Sequence, residues 1–77
     1  MQVEIKLYGT GFCHLCDGAA AILRGLGIDA GYIDIANGDD ELLESYGMRI
    51  PVLKRMDTGA ELGWPFDATA VLRFLNS

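Results

Sequence analysis

The chain is short of several kinds of residue, and each shortage argues against a class of protein. It has 77 residues with two cysteines and one histidine, too few for a zinc site that needs about four ligands from one monomer. Six basic residues face eleven acidic ones, which leaves a net charge of −5. That balance argues against nucleic acid or an anionic membrane surface as the main partner. No apolar run approaches the roughly 20 residues of a membrane-spanning helix.

The N-terminus also lacks the basic segment and long apolar region of a signal peptide. We therefore expect a cytoplasmic protein. At this length one domain over residues 1–77 is expected, and we expect it to be monomeric. Hydrophobic residues make up 51% of the chain, and their periodic spacing favours a folded core over disorder.

The two cysteines that are present stand close together, in the motif Cys13-His14-Leu15-Cys16. The motif follows an apolar strand-like run, residues 3–8, and opens a helical stretch, residues 16–25. A disulfide that closes four residues stabilises a fold by roughly 2 kcal/mol, against about 4.7 kcal/mol for a 100-residue loop. The pair thus lies where stabilisation is smallest. A C-x-x-C between a strand and a helix favours a thiol–disulfide redox site, the alternative being an unreactive structural pair.

The hydrophobic pattern predicts strands and helices in the order β-α-β-α-β-β-α. Because a helix separates the first two strands, we expect them to be parallel. The last two strands form a hairpin around Asp57-Thr58-Gly59. In the second helix, Leu42, Leu43 and Tyr46 form the apolar side. The predicted strands are 2–8, 29–35, 52–56 and 60–62, and the predicted helices are 16–25, 37–47 and 67–76.

This order of elements, the C-x-x-C motif and Arg49-Ile50-Pro51-Val52-Leu53 before the hairpin together resemble the glutaredoxin and thioredoxin superfamily. The match in length is with small bacterial glutaredoxin-like proteins. The resemblance implies an α/β, thioredoxin-like fold of the glutaredoxin type, a four-stranded mixed sheet flanked by three helices. It also implies a thiol–disulfide oxidoreductase.

In such an enzyme Cys13 would be the nucleophile, because free N–H groups at a helix start favour its thiolate. Cys16, one turn deeper, would resolve the mixed disulfide that Cys13 forms.

Further substrate-binding candidates surround the pair. The resemblance implies that Pro51 is a cis-proline that leaves the backbone groups of Ile50 free to pair with an extended substrate; a trans proline at a strand start is the alternative. Phe12 would offer apolar contact and His14 a nearby cation, although loop packing and simple exposure explain them equally well. Trp64 fits either a core anchor or a partner surface.

Glutathione binding is where the resemblance is weakest. Glutaredoxins usually hold glutathione with a basic residue before the motif, the backbone beside the cis-proline, and a Gly-Gly-x-Asp-type turn before the last helix. Residues 9–12 contain no Lys or Arg, and the turn at 62–67 has one glycine. Asp67, the Pro51 region and Arg49 remain for that role. We expect no bound cofactor, a protein or small-molecule disulfide as substrate, and either glutathione or a thioredoxin-reductase-like flavoenzyme as reductant.

Two other functions stay open. Cys13 would ligate an iron–sulfur cluster shared across a dimer if the chain is a cluster carrier of the glutaredoxin type. Alternatively, the chain is a redox-inactive adaptor that keeps the fold and uses Trp64 as its contact surface.

Overall fold

The computed structural model describes residues 4–11, 13–36, 40–47 and 49–76. The predicted order and type of the elements are confirmed. Within the described ranges they are β1 (Ile5–Gly9), α1 (His14–Gly25), β2 (Gly31–Asp34), α2 (Asp40–Tyr46), β3 (Val52–Arg55), β4 (Glu61–Gly63) and α3 (Ala68–Leu75). No helix in these ranges is both long enough and apolar enough to cross a bilayer.

The strands form a mixed sheet in the order β2-β1-β3-β4. β1 pairs with β2 in parallel and with β3 in antiparallel orientation, and β4 completes the hairpin on the outer side of β3. The helix between β1 and β2 makes the parallel pairing possible, because parallel neighbours need a long crossover. The expected mixed sheet, with the hairpin on one side of the parallel pair, is confirmed.

One face of the sheet is covered by α1 and α3. Ala19 and Leu23 lie one turn apart on α1 and are both buried, as the helical spacing predicts. On α3, Val71 is fully buried, and Ala70, Phe74 and Leu75 of the same helix are half-buried. We call the buried set on this face the α1/α3 core; it consists of Ile5, Leu7, Ala19, Leu23, Leu53, Phe66 and Val71.

The opposite face is covered by α2. Adjacent residues of a strand point to opposite faces, so Leu7 belongs to the α1/α3 core while Tyr8 lies on the other side. The buried set on this face, which we call the α2 cluster, is Tyr8, Ile35, Tyr46 and Val52. The Tyr8 and Tyr46 rings are stacked, with centroids 4.5 Å apart. Packing is therefore the role of Tyr8.

Two boundaries near the motif differ from the prediction. β1 continues through Gly9, predicted to be a turn residue, because Gly9 pairs with Asp34 and its carbonyl accepts the Ile35 N–H at 3.0 Å. α1 begins at His14, two residues earlier than predicted, because the Cys13 side chain caps it. Residues 2 and 3 of the predicted first strand lie outside the described residues.

The second helix is only partly as predicted. It ends before Gly47, and Tyr46 is buried, as expected. The expectation that Leu43 faces the core is wrong, since 45% of its surface is exposed. Among the described side chains of this seven-residue helix, Tyr46 is the buried one. The predicted start at residues 37–39 and the side chain of Leu42 lie outside the described residues.

Both ends of α3 are held by side chains. Asp67 caps the start, as predicted, by accepting the Ala70 N–H at 2.8 Å. At the other end, the buried Arg55 donates to the carbonyls of Phe74 and Leu75 at 3.2 and 3.3 Å. These are carbonyls that a helix end leaves without helical partners. Arg55 therefore ties β3 to α3.

Candidate active site

Cys13 lies immediately before the first residue of α1, in an extended conformation with φ −113° and ψ 107°. Its Sγ accepts the backbone N–H of Cys16 at 3.0 Å. The sulfur thus occupies the position that an oxygen takes in most N-caps. Amide donors and the helix dipole at this end favour a negative charge on the sulfur once the disulfide is reduced.

Cys13 and Cys16 form a disulfide, with their Cα atoms 5.1 Å apart. The two cysteines differ in accessibility. Cys13 is half-buried, whereas Cys16 is 1% exposed. The predicted arrangement of an outer and an inner sulfur is therefore present, and a partner can reach the bond from the side of Cys13.

Gly9 forms the floor beneath the inner sulfur. A Cβ built on Gly9 would lie 2.9 Å from Cys16 Sγ and 2.7 Å from Tyr32 Oη, closer than real side chains approach. The sulfur and the hydroxyl occupy the space that a side chain would fill. Sequence reasoning treated Gly9 as a turn residue and overlooked Tyr32. The available signal was a glycine two positions after the inward-facing Leu7, hence on the same strand face, just before the motif.

Pro51 lies beside this floor. The β1–β3 register pairs Tyr8 with Val52, so the preceding residue, Pro51, comes next to Gly9. The Ile50–Pro51 peptide bond is cis, as the resemblance implies. Pro51 is buried, and its carbonyl accepts the Trp64 N–H at 3.2 Å.

The prediction that the backbone groups of Ile50 are free is wrong for the amide. The Ile50 N–H donates to the carbonyl of Tyr46 at 3.1 Å. The end of α2 takes this donor because its last carbonyls lack helical partners. Pairing with an extended substrate at Ile50 is therefore limited to the carbonyl oxygen.

A polar bracket, formed by Tyr46, Arg49 and Glu61, fastens the Pro51 loop to β4. Arg49 pairs with Glu61 at 2.9 Å and lies 5.4 Å from the centre of the Tyr46 ring. The Tyr46 hydroxyl donates to the other oxygen of Glu61. This hydrogen bond, followed by the contact with Arg49, holds the pKa of the Glu61 carboxyl below its usual range. The same hydrogen bond raises the pKa of Tyr46 to about 12.

Comparison with known proteins assigns the chain to a family. The sequence profile of the Glutaredoxin-like domain family matches residues 4–76. The chain belongs to this family.

Solved structures agree with the fold. Target protein XcR50 from X. campestris is 37% identical, with 94% of this chain and 95% of that chain covered and a TM-score of 0.84. The glutaredoxin grx-1 from Archaeoglobus fulgidus is 19% identical, with 99% and 89% covered and a TM-score of 0.68. Thioredoxin 1 from Thermosipho africanus is 15% identical, with 95% and 94% covered and a TM-score of 0.59. The last two establish the thioredoxin-like fold alone. No curated protein matches the chain.

Of the two remaining predicted substrate contacts of this glutaredoxin-like domain, the structure describes His14 but not Phe12. His14 is exposed on the first turn of α1. Leu15 beside it is 51% exposed and gives the rim of the disulfide an apolar surface. Phe12 lies outside the described residues.

Trp64 is a packing residue of this domain. It is half-buried and meets Phe66 edge to face, with ring centroids 5.0 Å apart. A Cβ built on Gly18 would lie 3.6 Å from Trp64 Cη2, so the indole rests on α1 two residues after Cys16. Of the two sequence-based alternatives for Trp64, these contacts favour the core anchor.

The residues left for glutathione are engaged elsewhere. Arg49 is paired with Glu61, and the carboxylate of Asp67 caps α3. Both charged side chains therefore have partners within the domain. In the same ranges of the chain, no three His, Cys, Asp or Glu side chains are grouped so as to hold a metal ion.

Proposed function

We propose that this glutaredoxin-like domain is a thiol–disulfide oxidoreductase in which Cys13 is the nucleophile and Cys16 the resolving thiol. The observation that supports this most directly is the hydrogen bond from the Cys16 N–H to Cys13 Sγ, 3.0 Å long, at the start of α1. A thiolate is the reactive form of cysteine, and donors at a helix start favour it. Cys16, buried one turn later, is protected from outside reactants until a partner is bound to Cys13.

The reaction has two exchange steps. The Cys13 thiolate attacks a substrate disulfide, forms a mixed disulfide and releases one substrate thiolate. Cys16 then loses its proton and attacks Cys13 Sγ, which closes the Cys13–Cys16 bond and releases the second thiolate. The substrate gains two electrons and the domain loses two, so an external thiol or flavoprotein reductant must return them.

The surroundings of the pair favour a disulfide within an extended polypeptide. Exposed Leu15 offers apolar contact next to Cys13, and the Ile50 carbonyl can accept a backbone N–H. His14 and Phe12, the residue immediately before the motif, complete the proposed contact surface. The commitment of Arg49 and Asp67 to other partners favours a thioredoxin-reductase-like flavoenzyme over glutathione as the reductant. A cytoplasmic location agrees with this proposal, since a reducing compartment keeps such pairs reduced.

Trapping of the mixed disulfide tests the assigned roles. Reduced Cys16→Ser, mixed with oxidised insulin or a small mixed disulfide, should accumulate a covalent adduct visible as a mass increase. Cys13→Ser is the matched control, because it also retains one thiol, and it should give no adduct. An adduct in Cys13→Ser, together with no adduct in Cys16→Ser, would reverse the roles of the two cysteines.

A redox titration against glutathione buffer, combined with comparison of the two substrates, then gives the potential and the substrate class. Faster turnover of insulin than of the small disulfide supports the polypeptide preference. The iron–sulfur alternative has its own outcome: a coloured dimer after anaerobic reconstitution with iron and sulfide would argue for a carrier instead of an oxidoreductase.

A further inference from the structure

Tyr32 lies beside the inner sulfur although it is remote from the motif in sequence. It faces Leu7 across the parallel β1–β2 pair and therefore lies on the sheet face covered by α1. Tyr32 is 48% exposed, and its hydroxyl donates to the Thr10 carbonyl at 2.8 Å. The hydroxyl and Cys16 Sγ lie on the same side of Gly9, 2.7 and 2.9 Å from the position that a Cβ on Gly9 would take.

A hydroxyl in this position can donate a hydrogen bond to Cys16 once the disulfide is reduced. Cys16 is 1% exposed, so water supplies few donors to its thiolate, and burial with few donors disfavours the charged form. A tyrosine hydroxyl carries one rotatable proton and can turn it from one acceptor to another. Turning it from the Thr10 carbonyl to Cys16 Sγ would give the buried thiolate a donor.

We propose that the Tyr32 hydroxyl donates a hydrogen bond to the Cys16 thiolate while Cys16 resolves the mixed disulfide. This role rests on the proposed function and specifies its second step. The Cys16 proton passes to the departing thiolate or to solvent, the Cys13–Cys16 bond forms, and the bond between Cys13 and the substrate breaks. Tyr32 keeps its own proton throughout, so it is a positioning residue and not a base.

The charges around the hydroxyl agree with a group that remains protonated. Burial raises the pKa of Tyr32, and the carboxylates of Asp34 on β2 and Asp17 on α1 raise it further. The first turn of α1 contributes the other titratable groups near the pair, Cys13 and the exposed His14.

The size of the effect follows from thiol chemistry. Loss of one hydrogen bond to a thiolate lowers the thiolate fraction about tenfold at neutral pH. The remaining thiolate is more nucleophilic, with a Brønsted coefficient of about 0.4–0.5, which recovers roughly threefold. The resolving step of Tyr32→Phe should therefore be about threefold slower at neutral pH.

A coloured aromatic disulfide separates the two steps, because the reduced protein releases one coloured thiolate in each. The first phase, the attack by Cys13, depends on the concentration of the disulfide. The second phase, the attack by Cys16, does not. Tyr32→Phe should leave the first phase unchanged and slow the second at neutral pH. The deficit should shrink and then reverse as pH rises, because both proteins become fully ionised at Cys16 and the thiolate of the variant is the more nucleophilic. Tyr8→Phe is the matched control, since it removes a tyrosine hydroxyl from the opposite face of the sheet and should change neither phase.

Different outcomes would overturn the role of Tyr32 and the oxidoreductase function. A second phase at the wild-type rate in Tyr32→Phe overturns the role of Tyr32 and leaves the oxidoreductase proposal intact. A slowing that is the same at every pH, or that affects both phases equally, shows a structural role for the Thr10 contact and also overturns it. Wild-type protein that releases no second thiolate would overturn the proposed function itself.

Discussion

The two faces of the sheet are held together by different kinds of contact. The α1/α3 core is a set of interlocking, largely aliphatic side chains around the fully buried Leu53. The α2 cluster is smaller and depends on the stacked tyrosines and on the polar bracket with Arg49 and Glu61. The cysteine pair lies at the start of α1. The Pro51 loop is hydrogen-bonded to the end of α2 through the Ile50 N–H. The sulfurs are therefore positioned by packing, and the loop facing them by directional hydrogen bonds.

The largest expected effect comes from truncating one core residue on each face. Leu53 and Ile35 are 0% and 1% exposed and have equal numbers of side-chain carbons. Leu53→Ala should lower the free energy of unfolding by about 4 kcal/mol and Ile35→Ala by about 2 kcal/mol, because the smaller cluster can collapse around its cavity. Urea denaturation monitored by circular dichroism measures both. Equal losses would show that the two faces are packed equally tightly.

The next effect is on the polar bracket. Tyr46→Phe keeps the stacked ring but removes the donor to Glu61, and it should cost about 1.5 kcal/mol. Combining it with Glu61→Gln in a double-mutant cycle isolates the coupling between the two side chains. A coupling free energy near zero would mean that the tyrosine stack alone secures this face.

A change of similar kind on the other face should be smaller. Asp67→Ala removes the cap of α3 while leaving the α1/α3 core in place, and it should cost about 1 kcal/mol. Asp67→Asn is the control, since an asparagine side chain can still accept the Ala70 N–H. If Asn destabilises as much as Ala, the charge of Asp67 matters more than its hydrogen bond.

The smallest effect is the dependence of stability on pH. The lowered pKa of Glu61 means that its contribution is present above the unfolded value of 4.5 and is lost as pH falls through the folded pKa. The raised pKa of Tyr46, about 12 against 10.0 when unfolded, means that its contribution is present below pH 10 and is lost as pH rises towards 12.

Urea midpoints measured across both pH ranges check these signs. Glu61→Gln should weaken the acid dependence, and Tyr46→Phe should weaken the alkaline dependence, of which the remainder should include Tyr32, whose pKa is also raised. The acid dependence that persists in Glu61→Gln should include Asp57, whose pKa the hydrogen bond from Arg55 lowers on the α3 side. An unchanged alkaline slope in Tyr46→Phe would assign that loss to another tyrosine.

Sequence patterns were sufficient for the features that local chemistry determines. Period-two and helical spacing located the strands and helices, and Asp67 was identified as a cap from its residue type and position. The C-x-x-C motif at a helix start indicated which sulfur is exposed, because one turn of helix separates a surface position from an inner one. Element ends were less certain, as α1 shows, because a cysteine can act as a cap.

The features that the sequence did not reveal depend on contacts made between elements or at their ends. Gly9, Tyr32 and Cys16 meet only after β1 and β2 have paired. The Ile50 amide appeared free because its acceptor, the carbonyl of Tyr46, belongs to the end of another element. Leu43 has the residue type of a core position but is 45% exposed, and its place in the sequence pattern did not indicate this.

The seat of Trp64 on α1 has a practical consequence. The chain contains one tryptophan, and its indole touches the helix at Gly18, half a turn beyond the inner cysteine. Because the disulfide closes on that helix two residues from the indole contact, the intrinsic fluorescence of the protein should report whether the pair is oxidised or reduced. The domain carries its own optical probe, and its electron exchange can be followed in real time without a dye.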